Sequence, residues 1–144
     1  MRAVPATVRA EMTMKEAVRL MVQFKANGLI VVDELNKVVG ILSSWDVIQL
    51  IVPDYLEDDK HLAAFEAEST FDDRISQMAD TKVGEFMTKE VHSVTADNSL
   101  MQAATVLSEF HIRQLPVVDE NGVLVGYLNR TDMKIAIARV LGVE

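Results

Sequence analysis

The stretch Gln114-Leu-Pro-Val-Val-Asp-Glu-Asn-Gly-Val-Leu-Val-Gly-Tyr-Leu-Asn-Arg-Thr-Asp132 holds an apolar run, a turn, a second apolar run and a polar close. Leu115–Val118 is short, apolar and β-branched, which predicts a buried strand. Asp119-Glu120-Asn121-Gly122 carries turn chemistry, and Gly122 accepts φ > 0, so a hairpin follows. Val123–Leu128 is the expected return strand, and Gly126 within it admits the close approach of another backbone or a ligand. Leu29–Asp46 repeats the pattern without a gap, at an offset of 86 positions. The chain is a tandem repeat.

Outward from the hairpins, Thr7-Val8 suits a very short strand, and Thr13-x-x-Glu16 has capping-box spacing. A helix is predicted after it, because Met14, Ala17, Val18, Met21 and Phe24 recur at three- and four-residue intervals. Asn27-Gly28 suits a left-handed helix stop. Ser43–Asp46 opens a second helix with Val47, Ile48, Leu50 and Ile51 on its apolar side, and Pro53 ends it. In the second copy, Val83–Met87 reads as a helical turn and Val91–Val94 as a strand. Ser99-x-x-Gln102 repeats the capping-box spacing, and Leu100, Ala103, Ala104, Leu107 and Phe110 repeat the stripe. A last helix runs from Asn129–Asp132 toward Val140. Each copy is therefore β-α-β-β-α.

Residues 8–48 and 94–134 share about thirteen identities, mostly at core or turn positions that the fold explains. Asp46 and Asp132 stand apart, because a surface helix start has no packing reason to recur. A half of this size with a three-stranded sheet has little core of its own. The expected fold is α+β: two β-α-β-β-α repeats packed with pseudo-two-fold symmetry through their small sheets. Residues 1–52 form the first repeat, 53–82 a connector and 83–144 the second, with function expected in the cleft between the halves.

Composition narrows the classes. Among 144 residues, 49% are hydrophobic and 6% aromatic, so the core is mostly aliphatic. Fourteen basic against 22 acidic residues give a net charge of −8, which speaks against nucleic-acid binding. There are no cysteines, hence no disulfides or thiolate metal sites. No apolar run reaches the roughly 20 residues of a membrane span, and the start lacks a signal core; a soluble cytoplasmic protein is expected. His61, His92 and His111 lack paired ligand spacing, so no metal site is expected. No glycine-rich phosphate loop, nucleophile elbow or base–nucleophile pair appears, which argues against an enzyme. Residues 53–82 carry nine acidic and three basic residues, most of the net charge. Leu62, Phe65, Ile75 and Met78 are spaced there as in short amphipathic helices. A solvated acidic face on a helical connection is the plain reading; a lid or docking element stays open.

Leu-Pro-Val-Val-Asp-x-x-Gly-x-Leu-Val-Gly-x-Leu-x-x-x-Asp, preceded by a capped helix and Met87-Thr88, resembles the cystathionine β-synthase (CBS) domain. The tandem pair is similar to the Bateman module of the AMP-activated kinase γ subunit and of inosine monophosphate dehydrogenase. The resemblance covers residues 1–52 and 83–144. It implies a non-catalytic regulatory module, commonly homodimeric and acting on an unidentified protein partner. Its effector would be an adenosyl ligand (AMP, ADP, ATP or S-adenosylmethionine), with no obligatory cofactor. The alternative is a structural dimerisation module with empty nucleotide clefts.

By that resemblance, Ser/Thr-x-x-Asp at the start of the last helix holds the nucleotide. The carboxylate accepts from the ribose hydroxyls, and the hydroxyl with the helix N–H groups suits phosphate. The first copy matches fully with Ser43 and Asp46. The second, Asn129-Arg130-Thr131-Asp132, replaces the hydroxyl by an amide. The same spacing is also a plain capping box. For the Asp132 site the resemblance implies Arg113 and Gln114 beside the phosphate, Ala6, Ala26 and Asn27 on the adenine, and Tyr127 available to stack. For the Asp46 site it implies His92, Ile112 and Arg113 on the base, Asn27 and Gly28 toward the phosphate, and Ile41 as an aliphatic wall. Few cations converge on either cleft, which favours AMP, ADP or S-adenosylmethionine over a triphosphate. The Asp132 site is the favoured one.

Overall fold

Thr13 starts the first helix as its spacing predicts: its hydroxyl accepts from Glu16 N at 3.2 Å, and its own N–H donates to Glu16 Oε1 at 3.3 Å. The computed structural model describes residues 7–53, 60–65, 68–110 and 112–143. The first repeat runs β1 (Thr7–Val8), α1 (Met14–Phe24), β2 (Gly28–Val32), β3 (Val38–Ser43) and α2 (Ser44–Ile51). A 3₁₀ helix (Lys60–Phe65) and α3 (Glu68–Met78) occupy the connector. The second repeat runs α4 (Val83–Phe86), β4 (Val94–Thr95), α5 (Leu100–Phe110), β5 (Gln114–Val118), β6 (Leu124–Asn129) and α6 (Arg130–Leu141). Each sheet has three strands: β1 is parallel to β2 and β2 antiparallel to β3, with β4, β5 and β6 paired alike. Both hairpins shift register at the same place, Val31/Val32 and Val117/Val118. Gly122 takes φ +82° in its turn, and Asn36 takes φ +64° at the matching position of the first copy.

Four expectations differ from the structure. Helix α1 ends on Lys25 (φ +51°) rather than at Asn27-Gly28. Lys25 N and Ala26 N reach back to the carbonyls of Val22 and Met21, so the last turn closes two residues early. The strand expected over 91–94 is confined to Val94–Thr95. Ile48 is 56% exposed, because α2 is only eight residues long and packs through Val47 and the buried Asp46. Asp46 itself has a packing reason to recur. It is buried, and both aspartates close reciprocal capping boxes. Asn129 Oδ1 accepts from Asp132 N at 2.9 Å as Ser43 Oγ accepts from Asp46 N at 3.1 Å. As a helix cap, the amide replaces the hydroxyl without loss.

The two halves meet about an internal two-fold axis. Val38 N donates to Gly122 O and Leu124 N to Asn36 O, and these two bonds are mates under the 86-residue offset. Lys37 pairs with its own equivalent, Val123. At the other end of the sheets, Gly28 faces its equivalent, Gln114. Between them Ile30, Val32, Leu124 and Tyr127 bury an apolar layer, with Val38 and Ile41 against it. Each repeat adds a core under its own helices: Val8, Ala17, Met21, Leu29, Val31 and Leu42 in the first, and Val94, Ala103, Leu107, Leu115 and Val117 in the second.

Residues 79–88 break the symmetry. By sequence Val83 opens the second copy, yet it is fully buried in the first copy's core. Met87 and Thr88 then run along β3: Ile41 N–Thr88 O and Thr88 N–Ile41 O are both 2.9 Å. Gly40 is required there, since a Cβ would lie 2.5 Å from Met87 Sδ.

A candidate ligand cleft on the two-fold axis

The strand ends that meet at Gly28 and Gln114 leave a cleft of about 840 Å³ around the axis, within the range of small-molecule sites. The chain passes directly from β3 into α2 and from β6 into α6, and the N-caps of both helices, Ser43 and Asn129, border the cleft. Its walls are equivalent residues facing each other: Ala26 with Ile112, Asn27 with Arg113, Gly28 with Gln114, Ile41 with Tyr127, and Ser43 with Asn129. Arg130, Thr131 and His92 complete the expected residues that line it. Ala6 lies outside the described residues. The two sites read separately from the sequence are thus one continuous space.

Asp46 and Asp132 stand beside the cleft-lining Ser43 and Asn129, with their carboxylates closing the capping boxes of α2 and α6. Asp46 Oδ2 accepts from Ser43 N at 2.9 Å, and the Thr88 hydroxyl approaches Oδ1 at 3.2 Å and Oδ2 at 3.3 Å. Asp132 Oδ2 accepts from Asn129 N at 2.9 Å. The aspartates shape the helix starts that the ligand would meet.

The electrostatics also differ from the expectation of few cations. Among the described residues, Lys25, Arg113 and Arg130 line the cleft against one acid, Glu90. Arg130 is oriented by donating to Ile112 O at 3.3 Å; its equivalent Ser44 donates instead to Asn27 O, one position further along the first copy. Three cations and two helix N-termini in the walls of one cleft suit an anionic ligand, on a protein of net charge −8. Among the described residues, Gln114 Oε1 is buried without a partner, an acceptor held in the cleft wall. His92 is stacked on Phe110 with centroids 3.5 Å apart, which fixes a flat polar ring at the edge. Lys25, Trp45, Thr88 and Glu90 were not among the expected residues. The only sequence signal for them was nearness in the chain to Ala26, Ser43 and His92, because the fold, not a motif, brings them to the cleft.

A family model for the CBS domain matches residues 1–53 and 83–139, and the chain belongs to that family as a tandem CBS pair. It is similar to CBSX2 of Arabidopsis thaliana, solved in complex with AMP: 29% identity over 94% of this chain and 89% of that one, TM-score 0.71. It also resembles the CBS domain pair of protein MJ0100, solved with 5′-methylthioadenosine and S-adenosyl-L-methionine: 25% identity, 93% and 92% coverage, TM-score 0.66. A homoserine O-acetyltransferase of Methanococcus vannielii is 28% identical over 85% of this chain. The chain spans 21% of that enzyme's length. No helix among the described residues is long and apolar enough to cross a membrane.

Proposed function

We propose that this CBS pair is a regulatory module that binds an adenosyl ligand in the axial cleft and performs no reaction of its own. The observation that carries the reading is the presence of Lys25, Arg113 and Arg130 in the lining of a half-apolar cleft in an acidic protein. Phosphate, or the charged end of the ligand, meets Arg113 and Arg130. The ribose lies over the capped helix start, toward Asp132. The base lies between Tyr127, Ile41 and the His92 ring. The liganded neighbours support an adenosyl class, and the three cations widen the candidates to include ATP. Arg113, Arg130 and Tyr127 all come from the second copy, whose counterparts Asn27, Ser44 and Ile41 are neutral, so the Asp132 end binds more tightly than the Asp46 end. Binding favours one arrangement of the halves, which a protein partner reads. A second copy packs on the exposed apolar residues of α2 and α6, including Ile48 and Val140.

Thermal unfolding with AMP, ADP, ATP and S-adenosylmethionine tests the reading. A ligand at 100 times its Kd adds about 2.7 kcal/mol, a shift of roughly 5–10 °C in a chain of this size. The shift is lost in Arg113→Ala and retained when the exposed Val22 is replaced by Thr. No shift with any of the four ligands would sink the proposal.

A further inference from the structure

Among the described residues, one buried side-chain polar atom has no hydrogen-bond partner, and it is Gln114 Oε1 in the wall of the cleft. Buried acceptors are normally paired, so an orphan in a binding cleft points to a donor that arrives with the ligand. The position is shaped around the amide. Gly28 and Gln114 are mates under the 86-residue offset, and only the second carries a side chain. A Cβ on Gly28 would lie 3.1 Å from Gln114 Oε1 and 3.5 Å from its Cδ, so the glycine leaves the amide room on the axis.

Strand alternation sets which part of a ligand the amide meets. Gln114 and Pro116 share one face of β5, paired with Asn129 and Tyr127 of β6. Pro116 is fully buried, and Tyr127 belongs with Ile30 to the apolar layer between the halves, against which Ile41 packs. The half-buried Gln114 therefore stands where that layer meets the cleft. Arg113, one position earlier, is exposed and charged. The cation suits the anionic end of a ligand, and the neutral amide suits its heterocycle.

We propose that Gln114 recognises the base, with Oε1 accepting a hydrogen bond from the exocyclic amino group of adenine. The inference rests on the adenosyl reading above, and it assigns Gln114 to the base rather than to the phosphate that the family resemblance implied. That amino group carries the only N–H donors on the base of an adenosyl ligand. The terminal torsion of a glutamine is broad, so the amide turns from Gly28 toward the ligand at little cost. Once turned, it offers Nε2 to a neighbouring ring nitrogen, the paired contact by which glutamine reads adenine in nucleic acids. With glycine at the mated position, this recognition occurs once per chain.

The test is NMR titration of the full chain with adenosine and with purine riboside, which differs only in lacking the amino group. The expected affinity for adenosine is higher by about five- to tenfold, the effect of one neutral hydrogen bond. Gln114→Met removes the acceptor at similar length and makes the two affinities equal. Gln114→Glu keeps an acceptor and keeps the preference. Should the methionine variant not fold, Gln114→Leu removes the acceptor in its place. A preference for adenosine that survives loss of the acceptor, or equal affinities in the unmodified chain, overturns the proposal and leaves the adenosyl reading standing. No binding of adenosine, AMP or S-adenosylmethionine overturns both.

Discussion

Lys25 shows what a single residue contributes here. It holds a left-handed conformation that a glycine adopts without strain, and it puts a cation on the cleft. Lys25→Gly is therefore expected to raise stability by about 0.5–1 kcal/mol while weakening the binding of an anionic ligand. Urea unfolding and a ligand titration on the same variant check both signs; a fall in stability would show that the strain is absent. Asp46 is the opposite case, a buried carboxylate whose partners are Ser43 N and the Thr88 hydroxyl. Asp46→Ala strands both donors and removes half of a capping box, at a cost of about 2 kcal/mol. Thr88→Val should cost about 1 kcal/mol, and the double variant less than the sum, because the two share one interaction. The capping role of Asp46 was legible in its three-residue spacing. Its burial was not, because Thr88 lies 42 positions away.

Among the elements, α2 depends on the connector. Arg74 on α3 donates to Leu50 O at 3.2 Å and Ile51 O at 3.3 Å, supplying the last carbonyls of α2 with the charge that a helix C-terminus favours. Arg74→Ala should cost about 1–2 kcal/mol and accelerate hydrogen exchange in the last turn of α2 more than in α6. Uniform acceleration across both helices would refute a local role. The helical character of the connector was legible in its apolar spacing. Its attachment was not, since an arginine among nine acidic residues reads as a surface charge until the fold brings two carbonyls to it. Capping and turn chemistry act within four residues, which is why the helix starts of α1, α2 and α6 and both hairpin turns could be read from the chain directly.

At the scale of the molecule, residues 79–88 make one cooperative unit of two repeats. They carry Val83 into the first core, bond to Met12 and Ala10, and pair with Ile41 along β3. Heat unfolding should be a single transition with equal calorimetric and van't Hoff enthalpies; two resolved transitions would show that the halves are independent. Val83→Ala should lower stability by about 2 kcal/mol, and Gly40→Ala by about 1–2 kcal/mol because Met87 must move. Ligand affinity should fall as salt rises from low ionic strength, since the attraction comes from cations at an open mouth.

The amino-acid sequence by itself determined the repeat, the β-α-β-β-α order, the helix starts and the hairpins, because apolar period, capping and turn chemistry are local. The resemblance of its motifs to the CBS domain also named most of the residues that line the cleft, and the two copies present many of them at matching positions. The tertiary structure alone decided that the two sites are one space and that Lys25 joins Arg113 and Arg130 there. It alone decided that Asp46 is buried against Thr88 and that Val83 belongs to the other copy's core. Those outcomes depend on which surfaces meet about the axis, and contacts between residues tens of positions apart leave no periodic mark in the chain.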